Sequence, residues 1–279
     1  YLTSLLVSPL IINTIKSANA TVEFFIRQKK QFRFNNSDGE IGGDFCAAEF
    51  ITLQDRKYAA LMNADAMGKS IQGAAGALVI GTILHLLFER TRIMENYRSM
   101  LPERWLKNVF IELHRVFESF DGSMLVSGFF GLIDEHTGLM YHILAEHPRA
   151  VIYRNGTATF IENDKMLRKL GTSGVEGTLS IATTQLEPGD VLIIGSDGRD
   201  DIITGYDKHG GRIINEDETL ILRHVERSGA DLTGLVAELA KTGDLSDDLS
   251  FIRIEYSAPA ARRPPIRLAE SQAIENFKT

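Results

Sequence analysis

Residues 42–68 read GGDFCAAEFITLQDRKYAALMNADAMG. Two apolar runs in this stretch, residues 45–53 and 58–64, have the length and composition of strands. The four polar residues between them, Gln54-Asp55-Arg56-Lys57, form a tight turn. An aspartate stands at each outer end: Asp44 after Gly42-Gly43, and Asp65 before Ala66-Met67-Gly68. Upstream, residues 2–26 are rich in Ala, Leu, Ile and Lys and read as helical, with Pro9 near a start or a break. From Gln31 the period changes, Phe32 and Phe34 alternating with polar residues before the turn signal Ser37-Asp38-Gly39-Glu40.

Downstream, two long helices are expected over residues 70–90 and 103–120, the second carrying Trp105, Val109, Phe110, Leu113, Val116, Phe117 and Phe120 at helical spacing. Strands follow over 124–133 and 139–144, and over 151–153 and 157–161 around the hairpin signal Asn155-Gly156. The nearly pure apolar strand 191–195 runs into Ser196-Asp197-Gly198. Helices over 217–228 and 231–241 precede a last strand, 249–256. Hairpins and helices are segregated rather than alternating, which places the chain in the α+β class: a layered α-β-β-α sandwich of antiparallel sheets flanked by helices. The expected division is an N-terminal regulatory or linker helix over 1–30, one domain over 31–256, and a proline-bearing tail over 257–279.

Composition bounds the function. The 279 residues carry 30 Lys+Arg against 37 Asp+Glu, a net charge of −7, with 44% apolar and 24% charged residues. That is ordinary globular composition and excludes disordered, collagen-like and rod-like chains. The acidic balance argues against a nucleic-acid partner. One cysteine, Cys46, forms no internal bridge, fits a reducing compartment, and reads as a buried thiol. The longest apolar run, residues 73–88, is shorter than the roughly 20 residues of a spanning helix and reads as a buried helix. His85 within it reads as a core histidine. The chain starts at Tyr1 and is expected to be a piece of a longer protein.

The acidic residues carry the chemistry. Asp44, Asp65, Asp197 and the pair Asp247-Asp248 each lie at a strand end or beside glycine after an apolar run. Taken singly, each reads as a turn former or helix cap. Together they would repel one another, and a hard divalent cation resolves that repulsion, since Mg²⁺ and Mn²⁺ prefer carboxylate, carbonyl and water oxygens.

In this order the motifs resemble the metal-dependent protein phosphatase (PPM) family, in its bacterial SpoIIE-type branch. The resemblance rests on Gly42-Gly43-Asp44-Phe45, on Asp65 to Gly68 followed by Ala74-Ala75, on Ala145-Glu146-His147-Pro148, on the run Leu186 to Asp190, on Ser196-Asp197-Gly198, and on Asp247 to Ser250. It covers residues 41–256. It implies a β-sandwich with two Mn²⁺ or Mg²⁺ ions in a cleft at one end. Asp65 would bridge the ions, the Ala66 carbonyl would bind the first, and Asp44, Asp197 and Asp247 would bind the second. Asp248 would orient the shell. It implies a serine/threonine protein phosphatase, in which a water or hydroxide shared by the ions attacks a phosphoserine or phosphothreonine in line. No protein nucleophile is needed.

Three positions depart from the family pattern. Gly68-Lys69-Ser70 replaces Gly-His-Gly; Arg199-Asp200-Asp201 follows Gly198; and Cys46-Ala47-Ala48 lacks an acidic residue. Lys69 reads either as a phosphate-holding cation or as a solvated lysine at a helix start. A phosphate loop is excluded because position 63 is Asn, not Gly. A diguanylate cyclase reading of Gly42 to Phe45 fails on the order of elements. No histidine pair has zinc-ligand spacing. His147 reads as a turn residue or as one beside the cleft.

Two functions follow. The first is a phosphatase acting on a phosphorylated bacterial regulatory protein, in this branch an anti-sigma-factor antagonist. The second is a catalytically silent relay domain acting through partner contacts. The resemblance further implies an upstream sensor on the same chain, homodimer contacts, and a cytoplasmic location, as a free protein or as part of a membrane-anchored sensor.

Overall fold

The helix expected over residues 2–26 forms only at its start. In a computed structural model describing residues 2–17, 19–68, 70–162, 167–174 and 179–257, α1 (Leu2–Val7) runs into one 3-10 turn at Ser8–Leu10. Pro9 has no amide with which to continue the helix. β1 (Ala20–Arg27) is a strand, paired antiparallel with β15 (Leu249–Tyr256) from Ala20 opposite Tyr256 to Arg27 opposite Leu249. Thr21, Val22, Phe24, Phe25 and Ile26 suit a pleated surface better than a helix. The segment is thereby hydrogen-bonded into the sandwich.

β2 (Lys30–Phe34) and β3 (Ser37–Ile41) form a hairpin whose turn is Asn35-Asn36, with φ of 45° and 66°. The expected turn at 37–40 is therefore displaced. A two-residue hairpin turn of this hand needs positive φ at both positions, which Asn tolerates. β4 (Asp44–Leu53) and β5 (Arg56–Ala66) form the long hairpin as expected, turning on Gln54 and Asp55.

α2 (Ile71–Ile93), α3 (Glu95–Arg98) and α4 (Pro102–Glu118) follow. By length and composition α2 could cross a membrane. Here Ala74, Ala77, Ile80, Leu84, Leu87 and Phe88 are buried, most of them in the core shared with β4 and β5. His85 falls just outside that stripe and is exposed, contrary to its reading as a core residue. α4 docks through Trp105, whose indole N–H donates to Thr91 Oγ1 at 2.8 Å.

The rest of the chain supplies β6 (Val126–Asp134), β7 (Leu139–Ala145), β8 (Val151–Arg154), β9 (Thr157–Phe160), β10 (Ala182–Gln185), β11 (Val191–Gly195), β12 (Ile202–Tyr206), β13 (Arg212–Ile214), α5 (Leu220–Ser228), α6 (Leu232–Thr242) and β14 (Asp244–Leu245). Two five-stranded sheets result, ordered β10-β7-β6-β5-β4 and β1-β15-β11-β8-β9; β13-β12-β14 and the β2-β3 hairpin stand apart. α2 and α4 cover the first sheet, and α5 and α6 cover the second. The observed architecture is the expected α-β-β-α sandwich. The tail at 258–279 lies outside the described residues.

Strand alternation places the site. On β4, Phe45, Ala47, Ile51 and Leu53 face the helices, and Cys46 and Ala48 face the second sheet. Asp44 shares the parity of Cys46. On β5, Ala59 and Leu61 face between the sheets, so Asn63 and Asp65 do too. Ser127 follows the parity of Phe129 on β6; Ser196 follows that of Leu192 and Ile194 beyond β11; Ser250 follows that of Ile252 and Ile254 on β15. The face between the sheets is apolar in the middle and polar at one end.

Candidate functional site

Asp44 and Asp65 are direct cross-strand partners at the open end of the β4–β5 hairpin. Asp65, Ala66, Asp197, Asp247 and Asp248 line one cleft of 710 Å³, with Lys29, Lys30, Lys169 and Arg212 on its walls. Asp44 does not line it. It is 1% exposed, and its Oδ2 accepts from the Ser196 hydroxyl at 2.6 Å. Oδ1 is buried with no hydrogen-bond partner among the described residues. The Ser250 hydroxyl lies near this carboxylate and favours its charged form, without a hydrogen bond to Oδ1.

Glycines permit the close approach of these elements. A Cβ on Gly43 would lie 2.2 Å from the Ala66 carbonyl oxygen, and one on Gly198 would lie 1.9 Å from the Asp248 carbonyl oxygen. The Gly43 amide donates to Asp248 Oδ2 at 2.9 Å and the Lys29 amide to Asp248 Oδ1 at 2.6 Å, so both oxygens of Asp248 are engaged by backbone.

Electrostatics mark the cluster. Burial, and then the charge of Asp65, push the Asp44 carboxyl well above the ordinary carboxylate range. Burial raises Asp65 to about 7, with the charges of Asp197, Asp247 and Asp248 adding to the rise and Lys169 opposing it. Asp197 rises to about 6, through burial first and then through Asp201 and Asp247. Burial also raises Asp248, against its two backbone donors. A nearby cation would favour the charged form of every one of these carboxylates.

A hard divalent cation suits the donor chemistry: oxygen ligands alone, one of them an orphaned buried carboxylate oxygen. Yet among the described residues no three His, Cys, Asp or Glu side chains stand close enough to form a ready-made metal-ligand group. The carboxylates converge on the cleft without closing into a cage.

Other residues singled out by the motifs fall outside the cleft. Arg199 is 2% exposed, bonded to Asp200 and to the Arg149 carbonyl oxygen. His147 is buried, bonded to Asn63 and Ser127. Lys69 lies outside the described residues. Sequence reasoning missed Lys29, Lys169 and Arg212, which reach the cleft from three separate segments, and it missed the Ser196 bond to Asp44. Only the last had a usable signal, since Ser196 continues the inward parity of β11.

The SpoIIE family profile, described as Stage II sporulation protein E, matches residues 55–257. No curated protein matches the chain. Among solved structures, the RsbU and RsbW domains of Rv1364c from Mycobacterium tuberculosis are similar, with 17% identity and a TM-score of 0.59 over 87% of this chain and 63% of that one. The PP2C phosphatase domain and regulatory fragment of the cell fate determinant SpoIIE from Bacillus subtilis give 14% identity and a TM-score of 0.57, over 87% and 63%. RsbX in complex with magnesium gives 16% and 0.54, over 87% of this chain and 98% of that one. This chain thus spans 63% of the length of the first two. At such identities the likeness shows the fold, that of the PP2C phosphatases.

Proposed function

The chain belongs to the SpoIIE family, whose members are largely serine/threonine phosphatases, and from that premise we propose that it is a metal-dependent protein phosphatase. One observation carries the reading: Asp65, Asp197, Asp247 and Asp248 converge on a single cleft beside four cationic side chains, on an otherwise acidic protein. Asp44, Asp65, the Ala66 carbonyl, Asp197 and Asp247 would hold two Mn²⁺ or Mg²⁺ ions. When bound, such ions lower the pKa of a water and neutralise charge on a phosphoryl group. Asp248, with both oxygens on backbone donors, fixes the segment carrying Asp247 against Gly43 and Lys29. Lys29, Lys169 and Arg212 would offset the charge of an entering phosphoserine or phosphothreonine and guide it to the acidic floor. The substrate proposed is a phosphorylated bacterial regulatory protein of the anti-sigma-factor-antagonist kind, and an upstream sensor with homodimer contacts would govern it.

The deciding experiment is hydrolysis of an aryl phosphate with Mn²⁺, with Mg²⁺ and with chelator, beside Asp65→Ala. Metal-dependent turnover that disappears in Asp65→Ala is the expected result. The absence of a closed ligand group among the described residues favours a second reading, a silent relay domain that signals through contacts. No turnover and no calorimetric Mn²⁺ binding would overturn the first reading and leave only the second.

A further inference from the structure

Four buried polar residues stand outside the proposed metal ligands: Asn63, together with His147, Ser196 and Ser250 from the motifs. The structure joins them into one buried chain. His147, 2% exposed, is bonded at both ring nitrogens, Nε2 lying 2.8 Å from Asn63 Oδ1 and Nδ1 3.1 Å from Ser127 Oγ. An amide oxygen only accepts, so Nε2 carries the proton and Nδ1 accepts from the Ser127 hydroxyl. With its oxygen held in this way, Asn63 turns its Nδ2 the other way, donating to Ser250 Oγ at 2.8 Å and Cys46 Sγ at 3.2 Å. The Ser250 amide donates to Ser196 Oγ at 2.9 Å, and the Ser196 amide to the Ser250 carbonyl oxygen at 3.1 Å. The Ser196 hydroxyl then donates to Asp44 Oδ2. Asn63 and Ser127 belong to one sheet and Ser250 to the other, with Ser196 just past the end of β11, so the chain also ties the two sheets at the cleft end.

We infer that His147 and Asn63 are positioning residues for Asp44. An asparagine amide is nearly symmetric in shape, and only its partners decide which end is oxygen. The Nε2 proton of His147 makes that decision. Without it the Asn63 amide turns over, presents oxygen to Ser250, and loosens the Ser196–Ser250 pair that grips Oδ2. With it, Oδ2 is held by Ser196 and Oδ1 keeps its acceptor capacity free. The significance for metal rests on the phosphatase reading; the positioning itself does not.

His147→Phe keeps a ring and removes both nitrogens, and His147→Gln restores a donor for Asn63. Three measurements apply to each: amide exchange at Ser196 and Ser250 without metal, calorimetric Mn²⁺ affinity, and kcat and KM for an aryl phosphate. The expected result for His147→Phe is faster exchange at both serines, Mn²⁺ affinity reduced about 10–100-fold, and a fall in kcat with KM little changed. His147→Gln recovers most of each. A His147→Phe protein that matches the wild type in exchange and in Mn²⁺ affinity overturns the positioning role, even where metal-dependent turnover upholds the phosphatase reading. Loosened serines in a protein that binds no Mn²⁺ in any form uphold the positioning role and sink the phosphatase reading. Should His147→Phe fail to fold, Ser196→Ala removes the link nearest Asp44 and is read by the exchange of the Ser250 amide and by the same metal titration.

Discussion

Two buried histidines on one strand and its extension sit in opposite surroundings. His142, in the middle of β7, is stacked on Phe129 with ring centroids 5.7 Å apart and makes one side-chain hydrogen bond, Nε2 with Thr184 Oγ1 at 3.0 Å. Its Nδ1 is buried without a partner among the described residues. His147, beyond the end of the same strand, has both nitrogens engaged. Near His142 the strands present Phe129, Leu144 and Ile133; around His147 the neighbouring strands present Asn63 and Ser127. The alternation of side chains is uniform along the sandwich, so the fold assigns the facing, and residue identity alone decides whether a position serves cohesion or chemistry. The middle is optimised for burial. The end tolerates carboxylates whose repulsion Lys169 and Lys29 offset only in part.

That contrast can be broken from either side. Phe129→Ala should have the largest effect on stability, about 3–5 kcal/mol, because a fully buried ring leaves a cavity between two rigid sheets; denaturant midpoints measure it. Asp65→Asn should act in the opposite sense. It removes a buried like charge facing Asp44, Asp197 and Asp247, so the metal-free protein gains about 1 kcal/mol. On the phosphatase reading, metal-dependent aryl phosphate turnover would nevertheless fall by at least about 100-fold, because Asp65 would no longer offer a charged oxygen pair to a cation. Equal destabilisation by the two substitutions would erase the distinction between middle and end.

A smaller effect sharpens the comparison through pH. Burial depresses His142 to about 4 from its usual value near 6.5. As pH falls below 6.5 the unfolded chain takes up a proton that the folded chain refuses. The contribution is therefore complete above pH 6.5 and is lost between pH 6.5 and pH 4, on the order of 1–2 kcal/mol by pH 5. His142→Gln should therefore raise the urea midpoint at about pH 5, relative to that at about pH 7, by more than the wild type shows, whatever the buried carboxylates contribute to both proteins; an identical pH dependence in the two would remove His142 from the account. Last, Ser127→Ala should cost about 1 kcal/mol, since His147 Nδ1 then loses its donor. Thermal unfolding of the metal-free protein would show it.

Much of this was legible in the sequence, and the remainder was hidden for physical reasons. The β4–β5 hairpin, the long helices and the strands around Asn155-Gly156 announce themselves by local period and turn chemistry. β1 does not, because its partner β15 lies at the other end of the chain and Leu-rich, Ala-bearing flanks dominate its neighbourhood. β12, β13 and β14 are short and partly exposed, and their pairing is set by tertiary contact. The turn at Asn35-Asn36 won over Ser37-Asp38-Gly39-Glu40 because both backbone angles had to be positive. In the site, the aspartates stood out by motif. The cationic walls of the cleft did not, since Lys29, Lys169 and Arg212 share neither period nor spacing.

Cys46 gives the polar end of the sandwich a built-in clock. Its thiol is fully buried, receives an Asn63 N–H, and is pushed up to about 12 by burial. Burial keeps it in the thiol form at neutral pH, and in the closed state an alkylating reagent has no path to it. Labelling at this single sulfur therefore counts the moments when β4 and β15 part beneath Asp44. A cation held by the carboxylates above would slow that count, and its removal by a chelator would quicken it. The protein carries a one-atom reporter of its own breathing.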